Sequence, residues 1–326
     1  MTDPVGPMVK GIHDALDAAM ARDEKVILLG EDIADPAGGV MKATAGLSTK
    51  YGTHRVRATP ISEQGFVGAA IGASLAGYRP VAEIMLMDFI AVCMDQLANH
   101  AAKLRYMSGG RTNVPITIRT VAGGGLQFGA QHSQSLEAWL MHVPGLKVVI
   151  PSTPRDAKGL LTTCIFDDDP CVFIEPMKLL FTPGPIPAGD IAIPLGQADV
   201  KREGTDVTVI TWGWQVTEAL AAAEVLAAEG TSVEVLDLRT LVPLDRDAIL
   251  ESVAKTHRAV VVHAATRFAG PGAEIAAMVQ HELWDELDGP VERLGALYAP
   301  IPYATELEQA LYPNRGTIAE LIRSLA

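Results

Sequence analysis

The first half of the chain alternates short apolar runs with longer segments of helical periodicity. The runs with the length and composition of buried strands are KVILLGED (25–32), PVAEIMLM (80–87), VPITIRT (114–120), LKVVIPS (146–152) and PCVFIEP (170–176). Helices are predicted from Ser62 to about Ala76, from about Phe89 to Met107, and after Thr153, where Pro154 suits the first helical position. Strands joined by helical crossovers predict a parallel sheet covered on both faces.

The same alternation restarts after a segment rich in proline and glycine, FTPGPIPAGDIAIPLG. Because this segment lacks helical periodicity, we interpret it as a linker. Strands and helices then follow one another from DVTVITW to VERLGAL. The sequence therefore predicts an α/β protein with two domains, each with a mainly parallel sheet flanked by helices. The predicted bounds are 1–180 for the first domain, 181–196 for the linker and 197–326 for the second domain.

Composition and charge narrow the class of protein. Of the 326 residues 48% are hydrophobic and 20% are charged, which is typical of a soluble globular protein. A net charge of −13 argues against nucleic acid or an anionic membrane as a partner. The first residues, MTDPVGPMVK, lack a signal-peptide pattern, and no apolar run reaches the roughly 18 residues of a membrane helix. The three cysteines, with no CxxC spacing, indicate reduced thiols in a cytoplasmic protein.

Glu63 is the first candidate functional residue, because it opens a helix in which residues 65–78 carry no charge. Two interpretations stay open: the carboxylate complements the helix dipole, or it faces a ligand in a buried cleft. Gly65, Gly68 and Gly72 lie on one face of this helix, although each costs about 1 kcal/mol relative to alanine. We expect this face to pack closely against another subunit.

Two later segments also carry candidate chemistry. GGGLQFGAQHSQS (123–135) places His132 after a strand, where open α/β sheets bind ligands, although a flexible loop with a structural histidine is the alternative. The acids of DDD (167–169) end a helix, where negative charge is unfavourable. Either a solvated turn or a bound cation accounts for them. The metalloprotease, nucleophile-elbow, dinucleotide and phosphate-loop patterns are all absent from the sequence.

Four segments together resemble the beta subunit of the thiamine-diphosphate-dependent first component of 2-oxoacid dehydrogenase complexes. That family includes pyruvate, branched-chain 2-oxoacid and acetoin dehydrogenases. The segments are TPISEQGFVGAAIGASLAGYRPVAEIMLMDF, MDQLANHAAKLRYMSGG, GAQHSQSLEAWLMHVPGLKVVIPSTPRDAKGLL and VLDLRTLVPLD. The resemblance covers nearly the whole chain and implies a thiamine-binding pyrimidine domain followed by a transketolase C-terminal domain.

The resemblance also implies roles for single residues. Glu63 matches the glutamate that hydrogen-bonds a ring nitrogen of the cofactor's aminopyrimidine and favours the imino tautomer, whose nitrogen removes the thiazolium proton. Phe89 matches the aromatic residue that packs on the pyrimidine, and Ile61 lies next to the same ring. His132 matches the histidine that contacts the bound intermediate and assists acyl transfer to lipoamide. Some members bind potassium at the acidic turn, and the matching positions are Ile116, Cys164, Ile165, Asp167 and Asp169.

A missing motif implies a partner chain. Thiamine enzymes hold the diphosphate through magnesium and a GDG…N motif, whereas the one Gly-Asp pair here, Gly189-Asp190, is followed by Ile191. In this family the alpha subunit supplies that motif and the magnesium. The usual assembly has two alpha and two beta chains docked on a lipoyl-bearing acyltransferase core.

Two other functions compete with this one. The missing motif speaks against a self-sufficient transketolase-type enzyme, and the presence of Glu63, Phe89 and His132 speaks against a non-catalytic scaffold subunit. Ala264 stands where many members of this family carry an acid, and residues 126–128 are bulkier than in many relatives. Because of these two departures, the resemblance does not define the partner surface or the substrate pocket. AEIMLMDFIAVCMDQL and CIFDDDPC favour acetoin or pyruvate, but the sequence does not decide between these and branched-chain substrates. Nor does it identify the alpha subunit.

Overall fold

The computed structural model describes residues 3–325, which form two compact units. Unit 1 comprises the chain up to residue 122 together with residues 139–195. Unit 2 comprises residues 123–138 together with the chain from residue 196 onward. A segment from the middle of the sequence therefore belongs to the same unit as the C-terminal part of the chain.

The helices and strands alternate along the chain as predicted. The α-helices are α1 (Met8–Arg22), α2 (Leu47–Tyr51), α3 (Glu63–Leu75), α4 (Ile90–Asp95), α5 (Ala102–Met107), α6 (Glu137–Met141), α7 (Pro154–Phe166), α8 (Gln215–Ala227), α9 (Arg246–Thr256), α10 (Gly272–Glu282), α11 (Thr305–Leu311) and α12 (Arg315–Arg323). The strands are β1 (Val5–Pro7), β2 (Val26–Gly30), β3 (Val56–Ala58), β4 (Arg79–Leu86), β5 (Thr117–Ala122), β6 (Lys147–Val149), β7 (Cys171–Pro176), β8 (Pro183–Pro185), β9 (Asp199–Arg202), β10 (Val207–Thr211), β11 (Val233–Asp237), β12 (Thr240–Val242), β13 (Ala259–Thr266) and β14 (Glu292–Ala296).

Unit 1 is built on a parallel sheet with the strand order β6-β7-β5-β4-β2-β3. All residues of β2, β5 and β7 are buried, as expected for strands that are covered on both faces. The five strands predicted in this half are confirmed, with ends that differ by a few residues. The predicted cap at Thr153 is also confirmed, because its Oγ1 accepts a hydrogen bond from the Asp156 N–H at 3.1 Å.

The helix predicted from Phe89 to Met107 is not a single α-helix. It begins at Ile90, departs from helical geometry at Cys93 (φ −116°), and continues as a π-helix over Gln96–Ala101 before α5. The apolar residues still point inward, since Ile90, Leu97 and Ala101 are buried. The hydrophobic period predicted the buried face correctly, whereas the wider turn has no signature in that pattern.

Unit 1 also buries an ion-pair network inside its sheet. Arg119 on β5 is 2% exposed and lies between two acids on the flanking strands. Its Nη1 is 2.7 Å from Glu83 Oε2, and its Nη2 is 2.6 Å from Glu175 Oε1. Burial alone lowers the pKa of Arg119, but the two carboxylates outweigh this and raise it, so the guanidinium stays charged.

Unit 2 contains a sheet with the strand order β14-β13-β10-β11-β9. The strands β10, β11, β13 and β14 are parallel, and β9 is antiparallel at the edge. The core packs α8 and α12 against the sheet through residues such as Ala219, Leu226, Val235, Val260 and Ile318. The fold is thus the predicted α/β class with mainly parallel sheets flanked by helices.

The predicted linker forms little regular structure. Its strand β8 pairs with β1 in an antiparallel ribbon within unit 1, and most of its remaining residues lie outside helices and strands. Within residues 3–325 no helix combines the length and hydropathy that a membrane span requires.

Candidate active site

Glu63 lies at the carboxyl edge of the sheet in unit 1. The strands β4, β2 and β3 are parallel neighbours, so their carboxyl ends meet at this edge. Glu63 follows β3 as the first residue of α3 and is only 7% exposed. Ser62 precedes it without forming a side-chain cap, because its Oγ donates instead to the Pro60 carbonyl at 3.2 Å.

A second carboxylate, Glu31, lies beside Glu63. Glu31 follows β2 and is 9% exposed. Burial raises its pKa, and the nearby charges of Glu63 and Asp32 raise it further, against a hydrogen bond from the Ser62 backbone N–H. Its Oε1 has no hydrogen-bond partner within residues 3–325, and neither Glu31 nor Glu63 forms an ion pair there.

The sequence analysis missed Glu31. The available signal was an acid placed directly after a buried strand, in the run LLGED, at the edge where such sheets bind ligands. Nothing in the local pattern indicates that this side chain lies near Glu63.

The other candidates of unit 1 lie at the end of β4 and before α3. Phe89 ends a short 3₁₀-helix, Met87–Phe89, and is half-buried. Cys93 lies near Glu63: burial raises the pKa of its thiol to about 12, and the charge of Glu63 adds to this. Ile61 is 84% exposed within this chain. The buried pair of Glu31 and Glu63 fits a flat heteroaromatic ring with N–H donors such as an aminopyrimidine.

His132 belongs to unit 2, in the segment 123–136 that we call the histidine loop. The base of the loop is closed by a hydrogen bond from the Gly123 N–H to the Gln134 carbonyl (3.1 Å). His132 itself is half-buried, and its backbone N–H lies 3.4 Å from the Gly129 carbonyl. His132 therefore lies in a closed, glycine-containing loop of unit 2, and its catalytic role stays a prediction.

A cavity of about 410 Å³ lies beside the histidine loop within unit 2. Its walls come from the loop and from the ends of β13 and β14, including Ser135, Ala264, Leu297, Tyr298 and Tyr312. No charged side chain lines it. Ala264 is part of this wall, and the uncharged lining suits an uncharged organic group.

The acidic turn after α7 is surrounded by basic side chains of unit 1. The shortest contacts are Lys147 Nζ–Asp167 (2.6 Å), Arg79 Nη2–Asp168 (2.8 Å) and Arg105 Nη1–Asp169 (2.6 Å). Three cations therefore match the three carboxylates. Among the described residues no cluster of three or more His, Cys, Asp or Glu side chains is arranged to hold a metal ion.

Main-chain oxygens near this turn also have donors within the chain. Ile116 O accepts from the Cys171 N–H (3.0 Å), and Cys164 O accepts from the Asp167 N–H (3.3 Å). The Arg79 guanidinium donates to the carbonyls of Ile165 (3.4 Å) and Asp167 (2.9 Å). The predicted potassium ligands thus lie close together, but much of their hydrogen-bonding capacity is used.

Comparisons with known proteins agree with the resemblance. The profile of the transketolase pyrimidine binding domain matches residues 7–182, and that of the transketolase C-terminal domain matches residues 196–318. The beta subunit of acetoin:2,6-dichlorophenolindophenol oxidoreductase from Cupriavidus necator is 45% identical over 96% of this chain and 95% of that protein. The pyruvate dehydrogenase E1 component subunit beta from Bacillus subtilis is 44% identical over 98% of both chains.

A solved structure supports the fold. A split-gene transketolase, described as an inactive beta4 tetramer, superposes with a TM-score of 0.75 at 22% identity, covering 98% of this chain and 97% of that one. The chain therefore belongs to the family of transketolase-like beta subunits of 2-oxoacid and acetoin dehydrogenases.

Proposed function

We propose that this chain is the catalytic beta subunit of a thiamine-diphosphate-dependent 2-oxoacid or acetoin dehydrogenase that transfers an acyl group to lipoamide. The observation that carries the proposal is the buried pair of Glu63 and Glu31, which no basic side chain of residues 3–325 neutralises. A carboxylate held in this way favours a ligand that brings its own N–H donors.

Thiamine diphosphate, when bound, supplies a nucleophilic carbon that no protein side chain offers. The task of Glu63 is to accept a hydrogen bond from a ring nitrogen of the aminopyrimidine and to hold a proton there. Glu31, whose pKa is raised by burial and by Glu63, limits the negative charge at this edge by staying protonated more readily than an exposed acid. Phe89 and Ile61 present apolar surface to the ring.

His132 is proposed to assist acyl transfer to lipoamide. An imidazole can donate or accept a proton through its ring nitrogens, which suits proton transfer to a sulfur acceptor. The uncharged cavity beside the histidine loop supports an acceptor that is itself uncharged and largely apolar, as a lipoyl group is.

An alpha subunit is proposed to complete the site with magnesium and the diphosphate-binding motif, in an assembly of two alpha and two beta chains on a lipoyl-bearing acyltransferase core. The small-residue face of α3 supports a close partner, since Gly65, Ala69 and Gly72 are exposed within this chain. A Cβ added at Gly72 would meet no atom within 4 Å. We further propose the domain bounds 1–180 and 197–326 and a cytoplasmic location.

The potassium site at Ile116, Cys164, Ile165, Asp167 and Asp169 stays a prediction. Lys147, Arg79 and Arg105 already neutralise the turn, which leaves little negative charge for a cation to balance. Carbonyl oxygens would therefore have to supply most of the ligands. If the site binds potassium, this ion should raise the thermal unfolding temperature of the chain more than sodium does, and equal effects of the two ions would contradict the site.

Co-expression with an alpha subunit of this family tests the proposed function. The assembled enzyme should reduce lipoamide with pyruvate, acetoin or 3-methyl-2-oxobutanoate only in the presence of thiamine diphosphate and magnesium. The chain alone should bind thiamine diphosphate poorly, because it recognises only the pyrimidine half. Micromolar binding by the isolated chain in calorimetry would contradict the shared site, and turnover without an alpha chain would favour a self-sufficient enzyme.

A further inference from the structure

The histidine loop is anchored by the C-terminal part of the chain. Its main chain reaches α11, where the Gly125 N–H donates to Glu308 Oε1 at 2.9 Å. Glu308 is only 3% exposed, and it lies far along the sequence from the loop that it contacts. A buried carboxylate that accepts a backbone N–H forms a stronger bond than a neutral acceptor does.

The loop backbone approaches the ends of two side chains closely at this point. A Cβ added at Gly124 would lie 2.6 Å from Tyr312 Oη and 2.8 Å from Glu308 Oε1. Glycine at this position therefore allows the loop to lie directly against these two side chains. The contact fixes the loop at the glycines that precede His132.

The far end of the loop has its own anchor. Glu137, where α6 begins, is 3% exposed and accepts a hydrogen bond from Trp212 Nε1 at 3.3 Å. The Trp212 ring stacks on His263, with ring centroids 5.2 Å apart. Burial lowers the pKa of His263 to about 4, so this ring is neutral near pH 7. Burial also raises the pKa of Glu137, against the hydrogen bond from Trp212.

A simpler role for Glu308 is to complement the dipole at the start of α11. Glu306 lies in the same first turn and is exposed, with no contact to the loop. Both acids therefore lie in the first turn of α11, where they can complement the helix dipole. Only Glu308 is buried and accepts the hydrogen bond from Gly125. This difference makes Glu306 a matched control.

We propose that Glu308 is a positioning residue that holds the histidine loop so that His132 is presented for acyl transfer. The proposal rests on the proposed function of His132. Under this proposal, unit 2 contributes to the reaction through the histidine loop. Glu308 positions the loop and does not contact a reacting atom.

The test uses the assembled alpha–beta enzyme with Glu308→Ala, Glu308→Gln and Glu306→Gln. Two rates are compared with the fastest substrate: lipoamide-dependent turnover, and oxidation by 2,6-dichlorophenolindophenol, which needs no lipoyl group. Loss of the acceptor in Glu308→Ala should lower kcat for lipoamide turnover about 100-fold, as expected for a displaced catalytic group, and leave KM for the substrate and the dye reaction within about threefold. Glu308→Gln keeps a carbonyl oxygen for the Gly125 N–H and should recover most of the rate, and Glu306→Gln should match the wild type.

A second measurement separates the proposal from the proposed function. Hydrogen exchange of the purified chain should show faster exchange over residues 123–136 in Glu308→Ala than in the wild type or in Glu306→Gln. This readout does not depend on which reaction the enzyme catalyses. If the wild type shows no lipoamide turnover with any of the three substrates while exchange behaves as expected, the proposed function fails and the anchoring stands.

Two results would overturn the proposal: unchanged exchange in the loop, or equal losses in the lipoamide and dye reactions. Should Glu308→Ala fail to fold, Gly124→Leu provides a second test, because its larger side chain would have to displace the ends of Tyr312 and Glu308. It should lower lipoamide turnover selectively and speed exchange in the loop, and wild-type behaviour in both measurements would contradict the role of this contact.

Discussion

Unit 1 contains two pairs of carboxylates in different surroundings. Glu83 and Glu175 lie within the sheet, and Arg119 bridges them at 2.7 and 2.6 Å. Glu31 and Glu63 lie at the carboxyl edge of the same sheet, and no cation within residues 3–325 pairs with them. The first pair shares a guanidinium within the sheet, whereas the second pair has no such partner among the described residues. Under the proposed function, carboxylates of one residue type serve structure in one place and ligand binding in the other.

The largest effect is expected from breaking the neutralised pair. Arg119→Met leaves two buried carboxylates without their cation and should lower the free energy of unfolding by roughly 3–5 kcal/mol. Urea unfolding followed by circular dichroism measures this loss. Arg111→Met, at an exposed arginine of the same unit, is the control and should change stability by less than about 0.5 kcal/mol. A loss below about 1 kcal/mol in Arg119→Met would show that the network contributes little.

The same comparison predicts the opposite outcome at the edge. Glu63→Gln should fold, assemble and bind cofactor, with a stability change of at most about 1 kcal/mol. Proton exchange at the thiazolium carbon should nevertheless fall at least about 100-fold, because an amide does not exchange a proton with the ring nitrogen. The exchange rate is measured by proton NMR of the assembled enzyme, with the exposed Glu24→Gln as control. Proton exchange close to the wild-type rate would show that Glu63 only complements the dipole at the start of α3.

The pH dependence of stability tests the second edge carboxylate. Because the pKa of Glu31 is raised in the folded chain, its folded form binds a proton more tightly than the unfolded form. Its stabilising contribution is thus present below the ordinary glutamate pKa and is lost as pH rises through the raised value. Glu31→Gln removes this titration, so the variant should gain unfolding temperature relative to the wild type between pH 4 and pH 8. A difference that stays constant over this range would contradict the raised pKa.

The smallest effect is expected where a polar group serves structure alone. Thr153→Ala removes the cap of α7 and should cost about 1 kcal/mol of stability, with proton exchange at the thiazolium carbon unchanged. Thr153→Ser retains the hydroxyl and should recover most of the loss. Chemical unfolding and the exchange assay together give the reference against which the edge variants are judged. A lower exchange rate for Thr153→Ala would contradict the separation between polar groups that stabilise the fold and the carboxylates at the sheet edge.

The sequence predicted five strands of unit 1 because each is a short apolar run that ends where polar or turn residues begin, and it missed the three-residue strands β1, β3 and β8. It also singled out Glu63, which opens an uncharged helix, and His132, which follows a strand in the sequence. It did not predict the π-helix at Gln96–Ala101, since a wider turn leaves the apolar period nearly unchanged. Glu31 and Glu308 were missed for a different reason: their significance depends on neighbours that are distant in sequence, and a local pattern carries no information about such contacts.

Unit 2 is discontinuous in sequence, which affects its folding during synthesis and the design of fragments. Residues 123–138 leave the ribosome well before the rest of the unit, so their hydrogen bonds to Trp212 and Glu308 form only after those residues have been synthesised. A fragment cut at residue 196, inside the linker where a domain boundary would ordinarily be drawn, lacks the loop altogether. In such a fragment the indole N–H of Trp212 loses its acceptor and the carboxylate of Glu308 loses its donor, and each unmade buried bond costs about 1–3 kcal/mol. The C-terminal unit is therefore complete only as part of the whole chain.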